Sequence, residues 1–124
     1  MIVLDGQAAL SAFRLDRLNA RLADLHPGVR VQGAWHVYFI DADERLPDDG
    51  HARLLEVLQA RDGDPQPASL WVAPRLGTIS PWSSKATDIL RMAGLDVERV
   101  ECGTAWRIDG LDDISESLRV TILA

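Results

Sequence analysis

Residues 29–40 and 97–108 place two long stretches of period-two patterning in one short chain, and this constrains the fold most. In the first, Val31, Gly33, Trp35, Val37 and Phe39 share one face, with Arg30, Gln32, His36 and Tyr38 on the other. In the second, Val100, Cys102, Trp106 and Ile108 oppose Arg99, Glu101 and Arg107. Successive strand side chains point to opposite faces, so each pattern predicts a strand with a single core face. Strands of a doubly wound parallel sheet are apolar on both faces, whereas one-sided strands belong to antiparallel or mixed sheets. The expectation is therefore an α+β domain: a mostly antiparallel sheet with helices packed on one face.

The remaining elements fit around these two strands. Ile2-Val3-Leu4, closed by Asp5-Gly6, predicts a first strand. Leu15, Leu18, Leu22 and Leu25 recur at helical spacing within 7–25, and Pro27-Gly28 ends that helix. Pro47-Asp48-Asp49 opens a second helix, its acidic first turn suited to the positive end of the helix dipole. Leu54, Leu55 and Leu58 supply its apolar face. Asp62-Gly63-Asp64-Pro65-Gln66-Pro67 is a breaker cluster, read as a surface loop because both halves are too small to stand alone. A third strand over 68–73 follows, then a loop, then a helix with Ala86, Ile89, Leu90 and Ala93 as its stripe. Ser83 or Ser84 is the expected N-cap and Gly94 the left-handed C-terminal cap. In the tail, Leu111, Ile114 and Leu118 predict a helical turn or two, and 119–123 a strand. The first helix with its strand and the third helix with its strand each bring a tryptophan (Trp35, Trp106), so a duplicated unit is one reading.

With 124 residues and 47% hydrophobic content, the chain is long enough for one domain with its own core. Its net charge of −6 disfavours a nucleic-acid binder, whose affinity comes from neutralising phosphates. No apolar run approaches the length of a membrane span, and the N-terminus lacks the basic segment of a signal peptide. The single cysteine, Cys102, excludes an internal disulfide and is compatible with a reducing cytoplasm. His26, His36 and His51 have no metal-ligand spacing. Asp41, Asp43, Glu44, Asp48 and Asp49 lack the register of a calcium loop and read as a solvated turn leading into a helix start.

The loop that remains is Pro74-Arg75-Leu76-Gly77-Thr78-Ile79-Ser80-Pro81-Trp82-Ser83-Ser84-Lys85-Ala86-Thr87-Asp88. It carries hydroxyls, a tryptophan and the chain's only lysine between a strand and a helix. It lacks Walker-loop glycine spacing, although hydroxyls, N–H groups and Lys85 at a helix N-terminus are the parts of an anion site. Capping serines account for some of those groups without a ligand. Trp82 is either a plug over the scaffold or an anchor for a partner.

This loop resembles the signature near the N-terminus of the large, single-chain phosphoribosylformylglycinamidine synthase family. Ala9-Leu10-Ser11-Ala12-Phe13-Arg14 is similar to that family's opening helix. Tyr38-Phe39-Ile40-Asp41 with Leu46-Pro47 resembles its first long strand and exit, and Gly94-Leu95, Val100-Glu101 and Gly103 the strand after the loop. The resemblance covers residues 1–108 and implies a PurS-like N-terminal domain, a duplicated α+β unit, with 109–124 as a truncated or atypical tail. The family is a purine-biosynthesis ligase that makes the amidine from formylglycinamide ribonucleotide with ATP, magnesium and glutamine-derived ammonia. Its nucleotide site and glutaminase cysteine lie in later domains, so this chain by itself is expected to hold no cofactor and to be non-catalytic. The implied partners are the synthetase and glutaminase domains of the same cytoplasmic enzyme, with no nucleic acid and no membrane. Thr78, Ser80, Trp82, Ser83, Ser84, Lys85 and Thr87 form the expected contact set. Two alternatives stand beside it: residues 77–87 contact the substrate phosphate or line the ammonia path, or the chain is a stand-alone dimerising domain. Cys102, where the family pattern has an arginine, the two residues after Trp35, and the tail from Ser115 depart from that pattern.

Overall fold

The period-two segments fold as the two central strands of one sheet. The structure, a computed structural model, describes residues 2–42, 48–74 and 79–110. The elements run β1 (Ile2–Ala8), α1 (Ala12–Leu25), β2 (Arg30–Asp41), α2 (Asp48–Leu58), β3 (Leu70–Val72), α3 (Pro81–Met92) and β4 (Arg99–Asp109). Sheet order is β1-β2-β4-β3, and every neighbouring pair is antiparallel. The fold is α+β, as the one-sided strands require.

The register assigns the faces. Ala34 pairs with Trp106, Tyr38 with Cys102 and Ile40 with Val100, so these side chains project to one side. All three helices lie on that side. Leu54 of α2 and Leu90 of α3 pack with Leu4, Ile40, Leu95, Val97 and Val100. Leu22 of α1 packs with Val31, Ala34, Trp106 and Ile108. On β2 the covered face is therefore Ala34, His36, Tyr38 and Ile40, and the expected core face of Trp35, Val37 and Phe39 is the helix-free one. Val31 nevertheless faces α1, because the register shifts between Val31 and Gly33. An extra residue in one strand reverses the alternation beyond it, which the sequence pattern alone does not reveal. Of the strand tryptophans only Trp106 is in the core, whereas Trp71 is 45% exposed on the helix-free side.

Element ends follow their capping chemistry. α1 begins at Ala12 rather than Gln7, because Gln7 and Ala8 complete β1 and the Ser11 hydroxyl accepts the Arg14 N–H. α3 begins earlier than the serine pattern predicts. Its cap is Ser80, which accepts from the Ser83 N–H, and Pro81 takes the first helical position, where a missing N–H costs nothing. At the other end Gly94 has φ +87°. Its N–H bonds to Arg91 O and the Leu95 N–H to Leu90 O, with Leu95 and Leu90 together in the core. That is the Schellman arrangement, and it confirms the expected glycine cap. The tail and the Thr78 end of the signature loop lie outside the described residues, as does most of the acidic turn.

Both central strands outrun their flanking neighbours, and helix side chains take over where the ladder stops. β3 reaches only the Thr104–Trp106 stretch of β4, and α3 covers the edge at Val100. Ser83 Oγ donates to Val100 O at 2.6 Å, and Val100 N–H donates to Thr87 Oγ1 at 3.1 Å. In the same way Asn19 of α1 donates to Val31 O and accepts from Val31 N–H, beyond the end of β1. Both α1 and α3 thus pair the otherwise orphaned peptide groups of a residue in the strand that follows.

Candidate functional site

α3 is positioned by its inner face. Ser83, fully buried, and Thr87 are i and i+4 and so lie one turn apart on the same side. Thr87 Oγ1 also donates to Ser83 O at 2.7 Å. Ser80 does two jobs: its hydroxyl caps the helix and donates to Glu101 Oε1 at 2.9 Å. The Glu101 carboxylate further accepts from the Cys102 N–H and from Arg99 Nη2 at 3.0 Å. Burial alone would push the Glu101 carboxyl up, but the Ser80 hydroxyl, the Cys102 N–H and Arg99 together outweigh it and hold it below its usual range. An alternating strand gave no sign of this, since Glu101 reads there as a solvent-facing residue.

The outer side of the first two turns differs. Trp82 remains 41% exposed although its ring stacks on Tyr38, centroid to centroid 5.9 Å. Burial first, and then the neighbouring Cys102, push the Tyr38 phenol up, so the partner ring stays neutral. Ser84 and Lys85 are exposed, and Lys85 makes no ion pair with a described residue. Ile89 and Met92 continue the exposed apolar line along the helix.

The structure therefore divides the expected contact set. Ser80, Ser83 and Thr87 are turned inward and engaged by the scaffold. Trp82, Ser84 and Lys85 are accessible. Trp82 is in the first helical turn rather than in the loop, and it is at once a partial plug over Tyr38 and an exposed surface. Thr78 lies outside the described residues.

His36 Nδ1 lies 3.9 Å from Cys102 Sγ, but burial and then Glu101 push the thiol up, away from the thiolate a nucleophile requires. Among the described residues no three His, Cys, Asp or Glu side chains group to hold a metal, and no helix is long and apolar enough to cross a membrane. The architecture defines a class: a small α+β domain built of a four-stranded antiparallel sheet with three helices on one face. A family model described as formylglycinamide ribonucleotide amidotransferase N-terminal matches residues 35–124. The chain belongs to that family, the N-terminal domain of the purine-biosynthesis enzyme that makes formylglycinamidine ribonucleotide.

Proposed function

We propose that this domain is a non-catalytic interaction module, and that the outer side of α3 around Trp82, Ser84 and Lys85 docks against the synthetase or glutaminase part of the same enzyme. One observation carries the reading: the hydroxyls of Ser80, Ser83 and Thr87 are consumed internally, which fixes the helix start and leaves Trp82 and Lys85 presented on a rigid base. A pre-organised aromatic beside a cation is the composition of an interface anchor, because little side-chain entropy remains to be lost on docking. By supporting contact between the two catalytic parts, the module would assist the use of glutamine-derived ammonia. ATP and magnesium would act in the other domains, in the cytoplasm.

The rival reading, in which the loop holds a substrate phosphate, meets an obstacle in Glu101. Its carboxylate reaches the helix start through Ser80, where a phosphate would otherwise benefit from the helix dipole. An added anion there would meet like charge.

The test adds the domain to enzyme lacking it. Trp82→Ala is expected to weaken association about 30-fold or more, the scale of a central aromatic anchor of roughly 2 kcal/mol. Lys85→Ala should have a smaller, salt-dependent effect. Glutamine-dependent turnover should fall more than turnover with free ammonia. If both variants leave association and both turnovers unchanged, the surface is scaffold only.

A further inference from the structure

α1 distributes its charges against its own dipole. No acidic residue occupies its first turn and no basic residue its last. Arg14 lies in the first turn, at the positive end of the helix dipole, where a cation is disfavoured. Arg17 and Arg21 follow at i+3 and i+7, so the three guanidinium groups lie along a single side. Like charges at this spacing repel. All three arginines are exposed, and none makes an ion pair with a described residue.

The phase of the helix keeps this row clear of the core. Leu22 packs with Val31 and Trp106, Leu15 and Leu18 join that cluster, and Asn19 bonds the Val31 peptide groups. The carboxylates of α1 do not neutralise the row. Asp16 has no arginine three or four residues away, and Asp24, three residues after Arg21, forms no ion pair with it. Apolar groups bracket the row. Phe13, 69% exposed, lies under Arg17, whose guanidinium carbon is 5.7 Å from the ring centroid. Leu25, one turn after Arg21, is 58% exposed.

The chain as a whole has the opposite sign. Nineteen acidic side chains outnumber thirteen basic ones, for a net charge of −6. An acidic partner is therefore repelled by most of this molecule and attracted at α1, which fixes the face it meets. Arginine and aromatic side chains are enriched where proteins bury contact area, and a guanidinium pairs with a carboxylate through two parallel hydrogen bonds. Nucleic acid would present a longer track of phosphates to the negative remainder of the chain.

We propose that Arg14, Arg17 and Arg21 dock α1 on a carboxylate-bearing surface of another part of the same enzyme, with Phe13 and Leu25 as its apolar margins. The proposal rests on the docking reading above and adds a second contact to it. α1 lies over the Leu22 cluster and α3 over the Leu90 cluster, so the two surfaces sit at opposite ends of the covered sheet face. α3 supplies an aromatic anchor, and α1 supplies the electrostatic orientation.

The test replaces all three arginines by glutamine in the full chain and adds it to enzyme lacking the domain. Association is expected to weaken about tenfold or more at low ionic strength, mostly through a slower on-rate. The deficit should shrink to about twofold in about 0.5 M salt, where exposed charges are screened. The Tm should hold or rise, because repulsion within the row is relieved. Arg17→Glu alone should weaken association more than Arg17→Gln. Association unchanged at low salt, or weakened equally at low and high salt, overturns the proposal. Weaker association with a clearly lower Tm overturns it too, since the arginines would then serve the fold. So does arginine-dependent retention of a short DNA duplex with enzyme association intact. Trp82→Ala, run alongside, separates the two readings: if it alone weakens association, the α1 contact falls and the α3 surface stands, and if the arginine variant alone does so, the reverse holds.

Discussion

Thr87→Val isolates what holds α3 to the sheet. The substitution nearly keeps volume but removes the acceptor for Val100 N–H and the donor to Ser83 O. Ser83 O still belongs to the helix ladder, so the group left orphaned is the Val100 N–H, on a residue with no exposed surface. An unsatisfied buried donor costs about 1–3 kcal/mol, and a central figure of about 2 kcal/mol is expected here. For a chain of this size that lowers Tm by about 6–10 °C. Urea denaturation should show a lower midpoint with an unchanged slope, since the surface exposed on unfolding is the same. Asn19→Ala is the internal comparison. Asn19 makes the equivalent pair of bonds to Val31, but it is only partly buried and water can replace it, so its loss should cost about 1 kcal/mol or less. Combining Ser83→Ala with Thr87→Val should cost less than the sum of the two, because both act on the Val100 peptide groups. A Thr87→Val cost below about 0.5 kcal/mol, or equal to that of Asn19→Ala, would refute burial as what makes these bonds matter.

Two further outcomes follow from single side chains. The Glu101 carboxyl is depressed in the folded state, so the stability it contributes is present above the ordinary carboxylate range and lost as pH falls through its folded value. The stability difference between the parent chain and Glu101→Gln should accordingly be largest near neutral pH and shrink below about pH 4, measured by urea midpoints across pH. Gln59, exposed at the end of α2, has φ +54°, a left-handed conformation that disfavours a side chain. Gln59→Gly should raise stability by about 0.5–1 kcal/mol, visible as a higher Tm, because its exposed hydrogen bond with Gln7 contributes less than the relief; an unchanged or lower Tm would count against the strain.

Much of the architecture was legible because it rests on local rules. The period-two strands, the leucine spacing of α1 and Gly94 after Ala93 each specify a conformation from a few neighbouring residues. Where the pattern misled, the cause was non-local. Trp35, Val37 and Phe39 read as core because they are the bulky set on β2, yet the register shift near Gly33 and the seating of the helices put them on the other face. Val37 is buried there all the same. Residue type points to Ser83 or Ser84 as the cap, because both offer the chemistry that Ser80 supplies three residues earlier. The proline at position 81 was the deciding signal, since it favours the first turn and its ring restricts the residue before it to the extended conformation a cap requires.

The contact set is a sharper instance of the same division. Residue type alone makes Thr78, Ser80, Ser83, Ser84 and Thr87 equivalent hydroxyls of one expected contact set. Helical phase separates those in described positions: Ser83 and Thr87 share one side, and Ser84 and Lys85 are turned from it. Which side faces inward depends on Val100, a residue far along the chain whose peptide group the short β3 leaves unpaired. The inward hydroxyls therefore substitute for a missing strand. Glu101 then completes the helix start from a position that strand periodicity assigned to solvent. A helix start closed by its own serine and a neighbouring carboxylate is poorly suited to bind an anion and well suited to hold Trp82 in place. In the proposed docking role, the weight of this segment therefore falls on the ring and the cation rather than on the inward hydroxyls.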